Sequence, residues 1–439
     1  MSKTADLIIR NGRVLTMDPE VGLVNNCDVA IADGEIIAIG PDLEVPAGCS
    51  TIEADGNIVM PGLVDTHTHL WNGMWRTYAE SAGPSTKYGA LGLGMGPLFS
   101  PEDSYQAVLM AALEMVSNGI TTVHNWAHNM VSIDHAAAEI SALKDVGIRA
   151  RFSYGYHWNL PQNEVMPLDN VLETRKRWEG GLVRVGMALR NDTTQGTVPG
   201  HFAALSVDPA ILKQEMSVMR ENDIPITMHI RNPGPASYFI DAGYIAPDTL
   251  IVHGYHWAGS EWDQLAKAGI RIAVTPDTCM RGLKKFMPIG DIIASGAPLG
   301  LSFDHMNGSG HADMFRLMHM TILNEAMRGE ETLPALKAVE LATAGGAEVM
   351  GLGDVTGTLT VGKRADVIML NADALSLTPL HDIPMAIANS AHPALVDTVI
   401  IDGKVVKKDG ALCNWDAADV ARQANATFEG LRERYEATL

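Results

Sequence analysis

The stretch Pro61-Gly62-Leu63-Val64-Asp65-Thr66-His67-Thr68-His69-Leu70 is a short apolar run that ends in two histidines spaced two apart. On a β-strand, residues i and i+2 point to the same face. His67 and His69 therefore present both imidazoles to one side of the strand's C-terminal end, which is how a rigid strand offers two nitrogen ligands to one metal ion. A His-x-His pair by itself is common by chance. Its weight here comes from position: it follows Pro-Gly, and several strand-like runs downstream also end in His or Asp.

Working outward from that strand, helix and strand signals alternate. Ser100 is a plausible N-cap with Pro101 at the first helical position, and this helix runs to Asn118-Gly119, where glycine supplies the left-handed turn. Strands are expected at 120–124, 148–154, 183–189, 224–230, 250–253, 272–275 and 299–304, with helices at 133–146, 209–222, 261–268, 312–329 and 334–349. With the strand at 63 the count is eight, most followed by helices, which fits a closed parallel barrel of α/β class. The segment Trp71 to Pro97 has no sustained periodicity and reads as a functional loop or lid.

The two ends of the chain have a different texture. Residues 6–60 read as short strands punctuated by Asn11-Gly12 and Asp33-Gly34, both strong hairpin signals. Beyond Gly351 the strands return, at 365–370 and in a hairpin around Asp402-Gly403, and Asp416 to Leu439 is a terminal helix. Two isolated hairpins are too small to be stable, so the C-terminal strands are expected to complete the N-terminal β unit. The expected domains are 1–60 and 357–439 as two parts of that unit, the terminal helix included, and 61–356 as the barrel.

Composition bounds the rest. A chain of 439 residues, 46% hydrophobic and 19% charged, fits one large domain and a smaller one. A formal charge of −20 argues against nucleic-acid or anionic-membrane partners, which need a basic face. Cys27, Cys49, Cys279 and Cys413 lie far apart, so neither a disulfide framework nor a thiolate zinc site is expected, and a cytoplasmic location fits. There is no signal-peptide pattern at the N-terminus and no apolar run of transmembrane length. The expected partner is a small-molecule substrate; assembly into a homo-oligomer is left open.

In parallel barrels the active site lies at the C-terminal ends of the strands. His67 and His69 end the first strand, His229 ends Pro225-Ile226-Thr227-Met228-His229, His253 ends Ile251-Val252-His253, and Asp304 ends Gly300-Leu301-Ser302-Phe303-Asp304. These side chains would converge at the mouth. Imidazoles with a carboxylate suit zinc or ferrous iron, and a position left for water makes such a site catalytic. Trp126 and His128 after the second strand, His157 after the third and His256 after the sixth could add a pocket for a planar ligand.

These motifs, with the closing Gly357-Thr358-Leu359-Thr360-Val361-Gly362-Lys363-Arg364-Ala365-Asp366, resemble the amidohydrolase superfamily, in the branch of cytosine, guanine and S-adenosylhomocysteine deaminases and triazine hydrolases. The resemblance covers nearly the whole chain in order. It implies a distorted (β/α)8 TIM barrel with a small β-sandwich formed from both termini. It implies one divalent metal on His67, His69, His229 and Asp304, with zinc as the first choice and iron or manganese as alternatives. His253 would contact the attacking water or substrate as an acid/base group, and Asp304 would also take a proton from that water. The two-metal version needs a lysine at the end of the fourth strand, and residues 183–191 contain none.

One position departs from the pattern. Deaminases of this branch carry a glutamate three residues after the fifth-strand histidine, where this chain has Asn232. An amide cannot donate an acidic proton near neutral pH. Either another group, with His253, His256 or His128 as candidates, protonates the substrate, or the substrate does not need it. The expected activity is hydrolysis at an sp² carbon of a small N-heterocyclic or aromatic substrate with release of an amine or similar group. The alternatives are hydrolysis of an amide, urea or carbamate, or a binding protein on the same scaffold.

Overall fold

The computed structural model describes residues 3–81, 83–192, 206–230, 234–329 and 332–439. The chain divides into two compact units. One comprises Met1–Thr66, Glu114–Thr122 and Asp313–Asp416; the other comprises His67–Leu113, Val123–Ala312 and Ala417–Leu439.

Eight strands form the sheet that carries the site: β1 (Leu63–Thr68), β2 (Ile120–Ala127), β3 (Arg149–Tyr154), β4 (Val183–Leu189), β5 (Ile226–Ile230), β6 (Thr249–His253), β7 (Arg271–Val274) and β8 (Leu299–Leu301). Each lies beside its sequence neighbour, and the pairs from β3 through β8 run parallel. A parallel bridge from Thr68 to Asp304 joins the first strand to the end of the last, so the sheet closes into a (β/α)8 barrel. All residues of β1, β2, β3, β5 and β6 are buried, as strands covered on both faces must be. Gly62, just before β1, has a steric reason: a Cβ there would run into the Thr121 side chain on β2.

Strands from both ends of the chain make one nine-stranded mixed sheet. Its centre is the antiparallel pairing of Ile58–Pro61 with Val367–Leu370, in which Pro61 faces Val367 and Ile58 faces Leu370. The edge strand Glu35–Gly40 also touches residues 362–365, through the Glu35–Arg364 bridge and the Ile36 N–H to the Lys363 carbonyl. That contact reaches a segment leading into a strand several places away in the sheet, so the sheet wraps over one apolar cluster. Ile9, Val29, Ile31, Val59, Val367, Met369 and Ile400 are among its members.

Several sequence expectations meet their local physics here. Asp33-Gly34 and Asp402-Gly403 are two-residue hairpin turns with positive φ at both positions. Asn11-Gly12 is not a turn. The strand Leu7–Leu15 runs straight through it, with register shifts on both sides of Gly12 and Asn11 at φ 56°, because the chain continues pairing with Leu23–Ala32 and absorbs the signal as a bulge. The segment 71–97 is not structureless. It holds short helical turns at Leu70–Trp75, Pro84–Thr86 and Gly96–Leu98 and a helix at Tyr88–Gly94, with Trp71, Trp75, Leu91 and Met95 buried. Apolar packing, not periodicity, orders it. The expected helix 334–349 is two helices, Ala335–Leu341 and Ala344–Val349, broken at Ala342-Thr343. Ser100 and Asp103 cap the helix Pro101–Ser117 reciprocally, each side-chain oxygen accepting the other's backbone N–H, at 2.8 and 3.1 Å.

The helix Ile133–Val146 buries a carboxyl among its apolar residues. Glu139 is fully buried and its Oε2 accepts a hydrogen bond from Asn125 Nδ2 at 2.7 Å. Burial pushes its pKa from 4.5 up to about 8, the Asn125 hydrogen bond opposing. Between those values the folded chain holds a proton that the unfolded chain has released. This group's contribution to stability is thus complete below about pH 4.5, shrinks as pH rises and is gone above about 8. Glu139→Gln is neutral at every pH, so its thermal midpoint should gain on the wild type as pH rises across that window; a constant difference from about pH 5 to about pH 9 would contradict the assignment.

Candidate metal centre

Four side chains meet at the barrel mouth. The ligating atoms of His67, His69, His229 and Asp304 all lie within 4.8 Å of one another, and all four residues are buried. Asp304 Oδ1 is 3.2 Å from His67 Nε2 and 3.4 Å from His69 Nε2, and His229 Nε2 is 3.2 Å from His67 Nε2. Four donors this close, three imidazole nitrogens and one carboxylate oxygen, match the requirement of one divalent cation. The second carboxylate oxygen, Asp304 Oδ2, is buried without a hydrogen-bond partner among the described residues, a state that a cation or a water proton would relieve.

Strand register explains part of this convergence, and backbone strain explains the rest. His67 on β1 and His69, one residue past its end, both turn toward the cluster, as a spacing of two along a strand favours. His229 pairs with Val252, and Ile230 pairs with His253. In regular extended backbone His253 would therefore point with Ile230, away from His229. Instead His253 has φ 75°, which turns the ring over, and it stacks on His229 at 5.2 Å with 12° between the planes. Asp304 repeats the device: its bridge partner Thr68 lies between the two inward histidines, and Asp304 has φ 67°. Left-handed backbone at a non-glycine residue costs about 1–3 kcal/mol and persists only where the surroundings hold it.

Those surroundings are specific. The Asp304 N–H donates to the His67 carbonyl at 3.2 Å and to Ser302 Oγ at 3.0 Å, and the His69 N–H donates to the Asp304 carbonyl at 2.9 Å. Ser302 Oγ also donates to the His67 carbonyl. Burial would raise the Asp304 carboxyl, but the charge of His305, hydrogen bonds from His67 and His69 and the charge of His253 outweigh it and hold the group well below the usual carboxylate range. The Gly308 N–H lies 2.9 Å from His305 Nδ1, and His305 Nε2 lies 3.7 Å from Asp304 Oδ2.

The remaining sequence candidates take different places. Trp126 is fully buried; its carbonyl accepts from His69 Nδ1 at 2.8 Å and its indole N–H donates to Thr227 at 3.3 Å. The His69 ring is thereby fixed with Nε2 toward the cluster. His128 stacks on His69 at 3.9 Å, accepts the Trp71 indole N–H at Nδ1 and lies 3.4 Å from the Tyr88 hydroxyl through Nε2. His157 is half-buried, its pKa lowered by burial and by Arg190; the ring that reaches the aromatic cluster is its neighbour Trp158, against His128 and Tyr88. His256 is half-buried, 4.1 Å from Tyr255. Asn232 lies outside the described residues, as do most of 191–207. Thr275, which the sequence reading missed, hydrogen-bonds His253 Nδ1 at 2.7 Å. It stands just after β7, where the same strand-end logic would have found it.

Other features bear on setting. None of the four cysteines is in a disulfide, and among the described residues no helix is long and apolar enough to cross a membrane.

The chain resembles known proteins in sequence and in fold. The 5-methylthioadenosine/S-adenosylhomocysteine deaminase of Desulforudis audaxviator is 30% identical over 392 residues, 85% of this chain and 86% of that protein. The 5'-deoxyadenosine deaminase of Methanosarcina acetivorans is 28% identical over 446 residues, 98% of this chain and 99% of that one. Among solved structures, a zinc-bound adenosine deaminase from Xanthomonas campestris has a TM-score of 0.85 at 21% identity, over 99% of this chain and 100% of its own. An atrazine chlorohydrolase from Arthrobacter aurescens complexed with zinc has a TM-score of 0.82 at 20% identity, over 96% and 100%. At such identities the two structures speak for the fold alone. The sequence itself matches the amidohydrolase family model over residues 58–406, from the strand before the His-x-His pair to the last hairpin, and the chain belongs to the amidohydrolase family.

Proposed function

We propose that this amidohydrolase is a zinc-dependent aminohydrolase that releases ammonia from an aminated N-heterocycle, with adenosine-type nucleosides as the first substrate class. The observation that carries the reading is the joint placement of the four-donor cluster and His253, which stacks on His229 without belonging to the cluster. The names of the related deaminases support the nucleoside class, and the zinc in two structural neighbours supports the metal. Iron and manganese suit the same donors.

When bound, the cation acts as a Lewis acid that brings a water molecule's pKa toward neutrality. The residues act on that water and on the leaving group. Asp304 presents Oδ2 toward the reacting water and takes its proton, for which a depressed carboxylate pKa keeps it ionised beforehand. His253, anchored at Nδ1 by Thr275, uses Nε2 to orient the attacking oxygen. The oxygen adds to the sp² carbon, and collapse breaks the carbon–nitrogen bond, the amine leaving with the proton that Asp304 carried. The buried histidines exclude bulk water from this chemistry.

Asn232 favours a second reading. Ring deamination needs a proton on the ring nitrogen as the oxygen attacks, and an amide cannot provide an acidic one. An amide, urea or carbamate carbon carries its own electron-withdrawing oxygen and needs no such donor.

His253→Gln should lower kcat by about 10²–10⁴-fold while bound metal, read by elemental analysis, stays at the wild-type level. Asp304→Asn should lose both. A His253→Gln protein with normal turnover would remove this residue from the mechanism. Ammonia release from adenosine, 5'-deoxyadenosine and S-adenosylhomocysteine, measured beside a panel of ureas and carbamates, decides between the two readings. Cleavage confined to the second panel would overturn the first.

A further inference from the structure

Glu139 is an expensive residue for its position. It sits on the buried face of the helix Ile133–Val146 with one carboxylate oxygen, Oε1, lacking a hydrogen-bond partner among the described residues, where an apolar side chain would fill the space without desolvating a carboxyl. Its one strong contact is Oε2 to Asn125 Nδ2, 2.7 Å. Asn125 faces the other way with Oδ1, which accepts the backbone N–H of Leu70 at 3.4 Å. Leu70 is the residue after His69, and the residue after Asn125 is Trp126, whose carbonyl holds His69 Nδ1 at 2.8 Å. The end of β2 thus grips His69 twice, once by its ring and once by the chain just beyond it. Both grips depend on how Asn125 and Trp126 are set.

An asparagine amide can rotate to offer either its oxygen or its NH₂ group. The Leu70 backbone N–H can only donate, so Asn125 turns its oxygen there and its NH₂ toward Glu139, whose Oε2 accepts it. Glu139 holds the far end of the amide in that orientation. We propose that Glu139 is a positioning residue for the metal centre, acting through Asn125 to fix the backbone beyond His69. The inference rests on reading the four-residue cluster as a metal site.

The test is zinc affinity by competition with a chromogenic chelator, with circular dichroism confirming the fold of each variant. Glu139→Leu removes the acceptor and should weaken zinc binding by about 10–100-fold, the usual effect of losing a partner behind a metal ligand. Glu139→Gln keeps an acceptor oxygen at the same place and should bind within a few-fold of the wild type, a rescue that a packing role would not predict for Leu and Gln of similar volume. Asn125→Leu should match Glu139→Leu, and the double variant should bind no worse than the weaker single, because one route carries both effects. If Glu139→Leu does not fold, Glu139→Gln and Asn125→Leu still decide. Wild-type zinc affinity in Asn125→Leu, or equal losses in Leu and Gln at 139, would overturn the role. Failure of the wild-type protein itself to bind zinc or another divalent cation would overturn the metal reading, a result separable from the variant comparison.

Discussion

The parallel contact between Thr68 and Asp304 is the point at which the barrel closes, and the site exists because of it. β8 ends as a regular strand at Leu301, so closure falls to the following segment, through the Asp304 N–H to the His67 carbonyl and the His69 N–H to the Asp304 carbonyl. These bonds tie the backbone at His67 and His69 to the backbone at Asp304. The cluster is therefore built into the seam of the fold, and a chain that closes its barrel has already brought three of the four donors together.

Closure alone would point Asp304 the wrong way, as register alone would point His253. The same left-handed backbone corrects both, and both residues carry the proton-handling roles in the proposed reaction. His67 on β1, His69 just past its end and His229 on β5 each turn a ring nitrogen toward the cluster, none of them at positive φ. Within the site, left-handed backbone falls on the two positions where orientation matters most, and it is held by the closed sheet.

Around this rigid floor the aromatic wall is built differently. Trp71, Tyr88 and Trp158 come from connecting segments, and they surround His128. Tyr88 also stacks on His305 at 5.2 Å. Strand-borne donors provide the reaction shared by a family, and segments between strands shape what reaches them.

What was readable from sequence was what local spacing dictates. The period-two placement of His67 and His69, the strand ends at His229, His253 and Asp304, the barrel's eight strand–helix alternations and the hairpins at Asp33-Gly34 and Asp402-Gly403 all depend on neighbours within a few residues. The bulge at Asn11-Gly12 was misread because the same dipeptide serves a turn or a bulge, and only a partner strand chooses between them. The order in residues 71–97 was invisible because it comes from burial of tryptophans, not from a repeating pattern. Asn125, Thr275 and Glu139 carry no motif at all. Their parts follow from hydrogen bonds across gaps of 14 to 55 residues, formed only after the strands have paired. The sequence by itself determined which side chains could bind a metal and on which strands they lie; the tertiary structure decided which way His253 and Asp304 face, because that direction is set by backbone dihedrals that closure of the sheet imposes and no local pattern encodes.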